Sequence, residues 1–324
     1  MSSAFAPPAA GTIVVTGGAG FIGRALAARL ARRGAALTVA TRQATEVAPG
    51  VMSRAVGTID AATDWAPLLA GAQAIVHLAS RAHRPATGDR GWIEADAAAA
   101  EHLARAAARA GVARIVLLSS IKVLGERTRS APFRADQAPA PEDDYGVAKQ
   151  RIEEAMQRAT AGGPMLSILR PPLVYGPGVK ANFRALLRLV DCGIPLPFAS
   201  IANRRSFVFV ETLVDLVETV LAHADAGGTF LLRDDEPVST PDLVRRLAAH
   251  LGRAPRLFPC PPAALRLAAR ALGRADAAGR LLDSLEIDDA PTRERLGWRP
   301  RVTLDDGLAL TCAWYRQAGA EATR

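Results

Sequence analysis

The sequence predicts an α/β protein, a doubly wound parallel sheet followed by a smaller C-terminal α/β domain. Short apolar, β-branched runs alternate with Ala-rich helical segments through the first half of the chain. The first of these runs opens directly into a glycine-rich turn and then a helix. From Arg170 to Pro197, Pro and Gly become frequent and the alternation turns irregular, as on passage into a second unit.

Taken in order, Thr12-Ile13-Val14-Val15 reads as a buried parallel strand near 12–16. It enters Thr16-Gly17-Gly18-Ala19-Gly20-Phe21-Ile22-Gly23 and a helix near 20–33. Glycines at 17, 20 and 23 permit a tight turn and close backbone approach, and the helix N-terminus offers N–H groups to a dinucleotide phosphate. No Gly-Lys-Ser/Thr follows, which argues against a nucleotide-hydrolysing loop. Further strands are expected near 36–41, 51–56, 73–79, 114–119 and 165–170, with helices near 93–110 and 145–160. Ligands of such sheets bind beyond the carboxyl ends of the strands, where Gly20, Ser120 and Pro171-Pro172 fall. Downstream, Thr240-Pro241-Asp242 carries an N-cap, an N1 proline and an acidic first turn. Thr303-Leu304-Asp305-Asp306 reads as a capping box with Asp in place of Glu. The expected organisation is a disordered tail over 1–11, a dinucleotide-binding domain over 12–175 and a second domain over 176–324.

Composition narrows the function classes. The 324 residues carry a formal charge of +8, but the arginines are spread along the chain with no basic run interleaved with aromatics, against nucleic-acid binding. A positive field attracts an anionic substrate more simply. Cys192, Cys260 and Cys312 are isolated and odd in number, which suggests reduced thiols in a cytoplasmic protein, and the five histidines lack metal-ligand spacing. His77 ends a predicted strand and reads as structural. No signal peptide and no 18-residue apolar span is expected.

Lysine is rare. The chain has 37 arginines and three lysines, Lys122, Lys149 and Lys180. One of the three stands in Tyr145-Gly146-Val147-Ala148-Lys149, which places Tyr and Lys one helical turn apart on the same face. A free phenol has a pKa of about 10 and is a poor base at neutral pH, whereas an adjacent fixed cation favours the phenolate. That pairing is suited to proton transfer.

Together these segments resemble the extended short-chain dehydrogenase/reductase superfamily, in its nucleotide-sugar epimerase/dehydratase branch. The resemblance includes Val76-His77-Leu78-Ala79-Ser80, Leu117-Leu118-Ser119-Ser120, Tyr145 to Lys149, Arg170-Pro171-Pro172-Leu173-Val174-Tyr175-Gly176-Pro177-Gly178 and Leu296-Gly297-Trp298-Arg299-Pro300. It implies a Rossmann-type sheet and a catalytic trio. Ser120 would hydrogen-bond the reacting sugar oxygen, Tyr145 would move its proton, and Lys149 would hold the nicotinamide ribose. Ser119 is the alternative to Ser120, because alternate side chains on a strand face opposite ways. Cofactor contacts are expected at Gly17, Gly20, Phe21, Ile22, Gly23, Arg42, Asp60, Leu78, Ala79, Tyr145, Lys149 and Pro172. Substrate contacts are expected at Ser120, Asn182 and Arg205, with Arg204 able to exchange roles with Arg205.

Two features refine this reading. Family members that eliminate water carry Asp-Glu after the Thr, and Ile121-Lys122 stand there instead, which excludes a 4,6-dehydratase. The second predicted strand ends in Thr41-Arg42-Gln43 with no carboxylate for a ribose hydroxyl, so NADP(H) is favoured and NAD(H) is the alternative. The family's Asn in the helix after the fourth strand is Asp96 here. The expected activity is reduction of a 4-keto-6-deoxy nucleotide sugar at C4, with a 4-epimerase retaining NAD as the alternative. A cofactor-sensing regulator that has lost catalysis is the reading from another class, and retention of both Tyr145 and Lys149 argues against it. The resemblance also implies a homodimer paired through the helices near 93–110 and 145–160, with Ala107 as its probe.

Overall fold

The computed structural model describes residues 11–79 and 90–321. The expected tail, apart from Gly11, and Ser80 of the fourth-strand motif lie outside the described residues. A seven-stranded, all-parallel sheet forms the centre. Its strands are β1 (Thr12–Thr16), β2 (Leu37–Thr41), β5 (Arg54–Ala55), β6 (Ala72–His77), β7 (Arg114–Leu118), β8 (Met165–Arg170) and β11 (Gly228–Leu231). Their order is β11-β8-β7-β6-β1-β2-β5. The chain winds outward from β1 on one side and returns to fill the other. The boundary between β1 and β6 is therefore the switch point at which such sheets open a crevice.

The sheet is buried on both faces. Along β1, Ile13 and Val15 join one core with Leu26 and Leu30 of α1 (Phe21–Arg32) and Leu213 and Val217 of α6 (Val210–Ala222). Val14 points the other way. It packs with Leu103 of α3 (Gly91–Arg109) and Ile152 and Met156 of α4 (Asp144–Ala159). This is why β1 reads as a continuous apolar run, and each such buried side chain contributes about 1.5–3 kcal/mol.

Three expectations are corrected. The strand expected over 51–56 is split at Ser53. β4 (Val51–Met52) pairs antiparallel with β3 (Glu46–Ala48), while β5 joins the main sheet. Ser53 is buried at the break, its Oγ 2.6 Å from Thr41 Oγ1 and its backbone N–H donating to the Thr45 carbonyl. Those bonds redirect the chain between two pairings. The cap expected at Thr240 sits one residue earlier: Ser239 accepts from the Asp242 N–H, and Thr240 is the first residue of α7 (Thr240–Leu251). Its hydroxyl instead donates to the Leu281 carbonyl. Ala107 has 0% exposure and belongs to the α3–α4 core beneath the sheet, so it cannot probe a subunit contact. Thr303 caps α11 (Leu304–Glu321) by accepting from the Asp306 N–H at 3.1 Å, but the Asp306 carboxylate takes the Thr303 hydroxyl at 2.7 Å, so only the threonine half of the expected box is made.

The C-terminal half adds a second core. It gathers Tyr175 and Phe183, Phe207 and Phe209, and Leu247 and Leu308, around a parallel pair of β9 (Leu173–Tyr175) and β10 (Phe207–Phe209). α5 (Ala181–Asp191), α7, α8 (Pro262–Ala271), α9 (Ala275–Leu282) and α10 (Ala290–Leu296) lie in this half. β11 lies beyond Tyr175 in the chain yet completes the edge of the first sheet. Trp298, in the Leu-Gly-Trp-Arg-Pro motif, is buried and donates from Nε1 to Asp215 at 2.8 Å, so that motif anchors α6. Tyr175 is likewise structural, its hydroxyl donating to Asp234 at 2.8 Å within the core.

Candidate active site at the switch-point crevice

The glycine turn follows β1 and is shaped by contact distances. Gly17 holds φ +72°, and a Cβ there would lie 2.7 Å from the Ala79 backbone N. A Cβ at Gly23 would lie 2.5 Å from the Gly17 carbonyl oxygen. Glycine thus lets the turn press against both the segment after β6 and its own helix. Leu78 donates to the Thr16 carbonyl at 3.2 Å, which brings Leu78 and Ala79 beside this turn. Gly20 caps α1 without any side-chain bond, leaving the first N–H groups of the helix for a ligand. Phe21 and Ile22 form the first turn of α1, and a Cβ on Gly178 would lie 3.4 Å from the Phe21 ring. The close approach and the open helix end fit a dinucleotide.

At the end of β2, Thr41 donates to the Gln43 carbonyl at 2.7 Å and no carboxylate is present. Arg42 is exposed and makes no ion pair among the described residues. Asp60 is exposed in a turn of its own, its carboxylate accepting from Ala62 N and Thr63 Oγ1.

The two serines after β7 part company. Ser119 is buried and donates to Glu153, which also takes both forks of the Arg170 guanidinium at 3.0 and 2.6 Å. Ser120 is half-buried and accepts from the Lys122 N–H at 3.3 Å, opening a short 3₁₀ turn. Ser119 is thus spent inside the core, and Ser120 is the serine left at the crevice. Ile121 donates its N–H to the Pro171 carbonyl, which brings Ser120 next to the Pro171-Pro172 turn after β8.

α4 presents the Tyr–Lys pair. Asp143 caps it by accepting from Gly146 N at 2.7 Å, and its other oxygen meets Lys122, which also pairs with Glu126. Gly146 is required by packing, since a Cβ would lie 2.6 Å from the Lys122 carbonyl oxygen. Tyr145 is half-buried, and Lys149 Nζ lies 5.8 Å from the centre of its ring. Lys149 is 3% exposed and donates to the Leu118 carbonyl at 2.9 Å. Burial lowers its pKa to about 8, while the carboxylates of Glu153 and Asp96 pull it upward. Asp96, out of place against the family pattern, therefore acts on the lysine through its charge.

Asn182 and Arg205 line one cleft of about 480 Å³ in the C-terminal half, walled by Phe183, Phe198, Phe207 and Leu265. Asn182 follows Ala181, which holds φ +51°, a sparsely allowed conformation for a residue with a Cβ. Arg205 is 9% exposed and donates to the Asp283 carbonyl at 2.7 Å. Burial pulls it down to about 10, and the Arg280 guanidinium pulls the same way against Asp283 and Glu126. Arg204 instead forms a surface pair with Glu286. The buried residue of the two is the one facing the cleft. Sequence reasoning missed Arg280 and Glu153. Glu153 carried a signal, lying four residues after Lys149 on the same helical face, whereas nothing local marks Arg280.

Among the described residues no cluster of His, Cys, Asp and Glu could hold a metal, and no helix is long and apolar enough to cross a membrane. A family model described as the NAD dependent epimerase/dehydratase family matches residues 13–232. The chain belongs to the NAD-dependent epimerase/dehydratase family. A UDP-glucose 4-epimerase of Vibrio cholerae is 39% identical over 316 residues, 95% of this chain and 96% of that protein. A dTDP-6-deoxy-L-talose 4-dehydrogenase (NAD(P)(+)) of Kitasatospora kifunensis is 27% identical over 324 residues, 95% of this chain and 96% of that one. The crystal structure of a UDP-N-acetylglucosamine 4-epimerase from Bacillus cereus superposes with a TM-score of 0.77 at 19% identity, over 94% and 99% of the two chains. At that identity it speaks for the fold. The family assignment agrees with the glycine turn and the Tyr–Lys helix on which the resemblance rested.

Proposed function

We propose that this chain is an NAD(P)-dependent oxidoreductase acting at C4 of a nucleotide-diphosphate sugar. We read its direction as reduction of the C4 ketone of a UDP-4-keto-6-deoxy-(N-acetyl)hexose for bacterial surface-polysaccharide synthesis. The observation that carries the chemistry is the pairing of Tyr145 with a buried Lys149 beside Ser120, at the carboxyl ends of the strands. A nicotinamide bound at the glycine turn would supply the hydride. Ser120 holds the sugar oxygen, Tyr145 delivers a proton to it, and Lys149 bonds the ribose while its charge favours the phenolate that results. Asn182 contacts the nucleotide, and Arg205 grips the diphosphate from the apolar cleft. Two subunits pair through the outer faces of α3 and α4.

Reduction is favoured by the end of β2, where an exposed Arg42 without a carboxylate rival suits the 2′-phosphate of a dissociable NADPH. The second reading, a UDP-sugar 4-epimerase with retained NAD, is favoured by the name of the Vibrio cholerae relative. Mass spectrometry of ligands that co-purify, followed by turnover assays, separates the two. A reductase consumes NADPH stoichiometrically with a UDP-4-keto sugar and purifies without tightly held NAD. An enzyme that retains NAD and interconverts UDP-hexoses with no added cofactor is the epimerase.

A further inference from the structure

Seven large hydrophobic side chains are exposed among the described residues, and five of them lie in the elements around α8: Leu189, Ile194, Phe258, Leu267 and Leu272. The backbone bonds of Leu196 with Arg256 and Phe258 bring the Ile194 and Phe258 segments together, and Leu189 and Leu272 line one cleft. α8 itself buries none of its residues. A helix of a globular protein ordinarily turns its apolar stripe inward. α8 turns Leu265 toward the cleft but leaves Ala264, Leu267, Ala268 and Ala271 exposed, at i, i+3, i+4 and i+7. Leu267 is 70% exposed and Leu272 is 74% exposed.

The charge around this stripe is predominantly positive. Residues 253–282 carry six arginines against one aspartate, a net +5 of the chain's +8. Arg253 and Arg266 are paired with Asp191 and Asp283, whereas Arg256, Arg270 and Arg274 are exposed with no ion pair among the described residues. Leu267 and the unpaired Arg270 on α8, with Leu272 at its end and Arg256 and Arg274 on the flanking segments, give exposed apolar side chains set among cations, the pattern of a segment that lies in a lipid headgroup layer.

We propose that this face docks on the surface of a membrane rich in anionic lipid, with α8 in the headgroup plane. Charge complementarity selects this occupant, since each unpaired arginine near an anionic leaflet strengthens binding several-fold. A second copy of the chain would set like charge against like across a two-fold axis. Among the described residues Phe258 is the one exposed aromatic on which a nucleic acid could stack. Because Leu265 and Leu272 also wall the cleft of Asn182 and Arg205, docking bears on access to that cleft. The proposal does not depend on the identity of the substrate.

Co-sedimentation of the full chain with vesicles of phosphatidylglycerol and phosphatidylcholine, against vesicles of phosphatidylcholine alone, tests it. The chain should pellet with the anionic vesicles, stay in solution with the neutral ones, and be released as salt screens the arginines. The double variant Leu267→Glu, Arg270→Glu should bind at least about tenfold more weakly with unchanged thermal melting. Phe258→Ser, on the adjoining loop, should weaken binding independently. No pelleting with anionic vesicles would overturn the proposal. So would variants that pellet like the wild type, or light scattering in which the double variant only splits a dimer.

Discussion

Lys149 donates to the Leu118 carbonyl from a buried position, and burial lowers its pKa to about 8 despite the pull of Glu153 and Asp96. A compact ammonium fits that slot beside Tyr145, and a planar fork does not. Lys149→Arg should therefore damage turnover nearly as much as Tyr145→Phe, which we expect to slow the reaction by about 10² to 10⁴-fold while leaving the fold intact. Near-normal turnover of Tyr145→Phe would remove Tyr145 from the chemistry. Arg42 tests the cofactor reading separately. Its exposed guanidinium makes no ion pair among the described residues, so Arg42→Ala should cost about 1.5–3 kcal/mol of NADPH affinity and little for NADH. Equal losses, measured by fluorescence titration of both cofactors, would assign Arg42 another task.

At the scale of elements, α4 is held from behind by one buried ion cluster. Glu153 on α4 accepts from Ser119 after β7 and from both forks of Arg170 on β8. Glu153→Gln keeps the shape but strands a buried guanidinium, so unfolding stability should drop by about 3–5 kcal/mol in urea titrations. A loss below about 1 kcal/mol would mean that water or another group reaches Arg170. The proposed subunit contact is tested on the outer face of α3, where Ala98 is exposed, rather than at the buried Ala107. Ala98→Arg should leave melting unchanged and give monomers by light scattering, and an unaltered dimer would move the interface elsewhere.

For the molecule as a whole, two buried groups set opposing pH dependences. His77, 2.8 Å from Thr16 Oγ1, is held neutral, and burial with the nearby Lys149 lowers it from 6.5 to about 3. Between those values the unfolded chain binds a proton that the folded chain refuses, so stability falls as pH falls. Asp234 is pushed by burial from 3.8 up to about 7. In that window the folded chain binds the extra proton, so stability rises as pH falls. Each slope is at most about 1.4 kcal/mol per pH unit. Asp234→Asn removes one of the two, so urea midpoints of the variant should fall more steeply than those of the wild type between pH 6.5 and 4.5. Parallel curves would show that Asp234 does not titrate in this range.

The strand–turn–helix at Gly17, the sheet alternation and the Tyr145–Lys149 spacing could be read from the sequence because each depends on neighbours within one or two turns of chain. Periodicity and the absence of a Cβ are local properties, and they survive without knowledge of the fold. That Ser119 is buried and Ser120 is not, and that Arg205 and not Arg204 lines the cleft, shows only in three dimensions. In each case two adjacent residues of the same type are available, and contact with Glu153 or with the cleft separates their positions. Asp96 toward Lys149, Arg280 beside Arg205 and the break at Ser53 also came from tertiary structure. Contacts of that kind join residues 12 to 75 positions apart, and their partners are set by sheet register and helix packing, which no local pattern encodes.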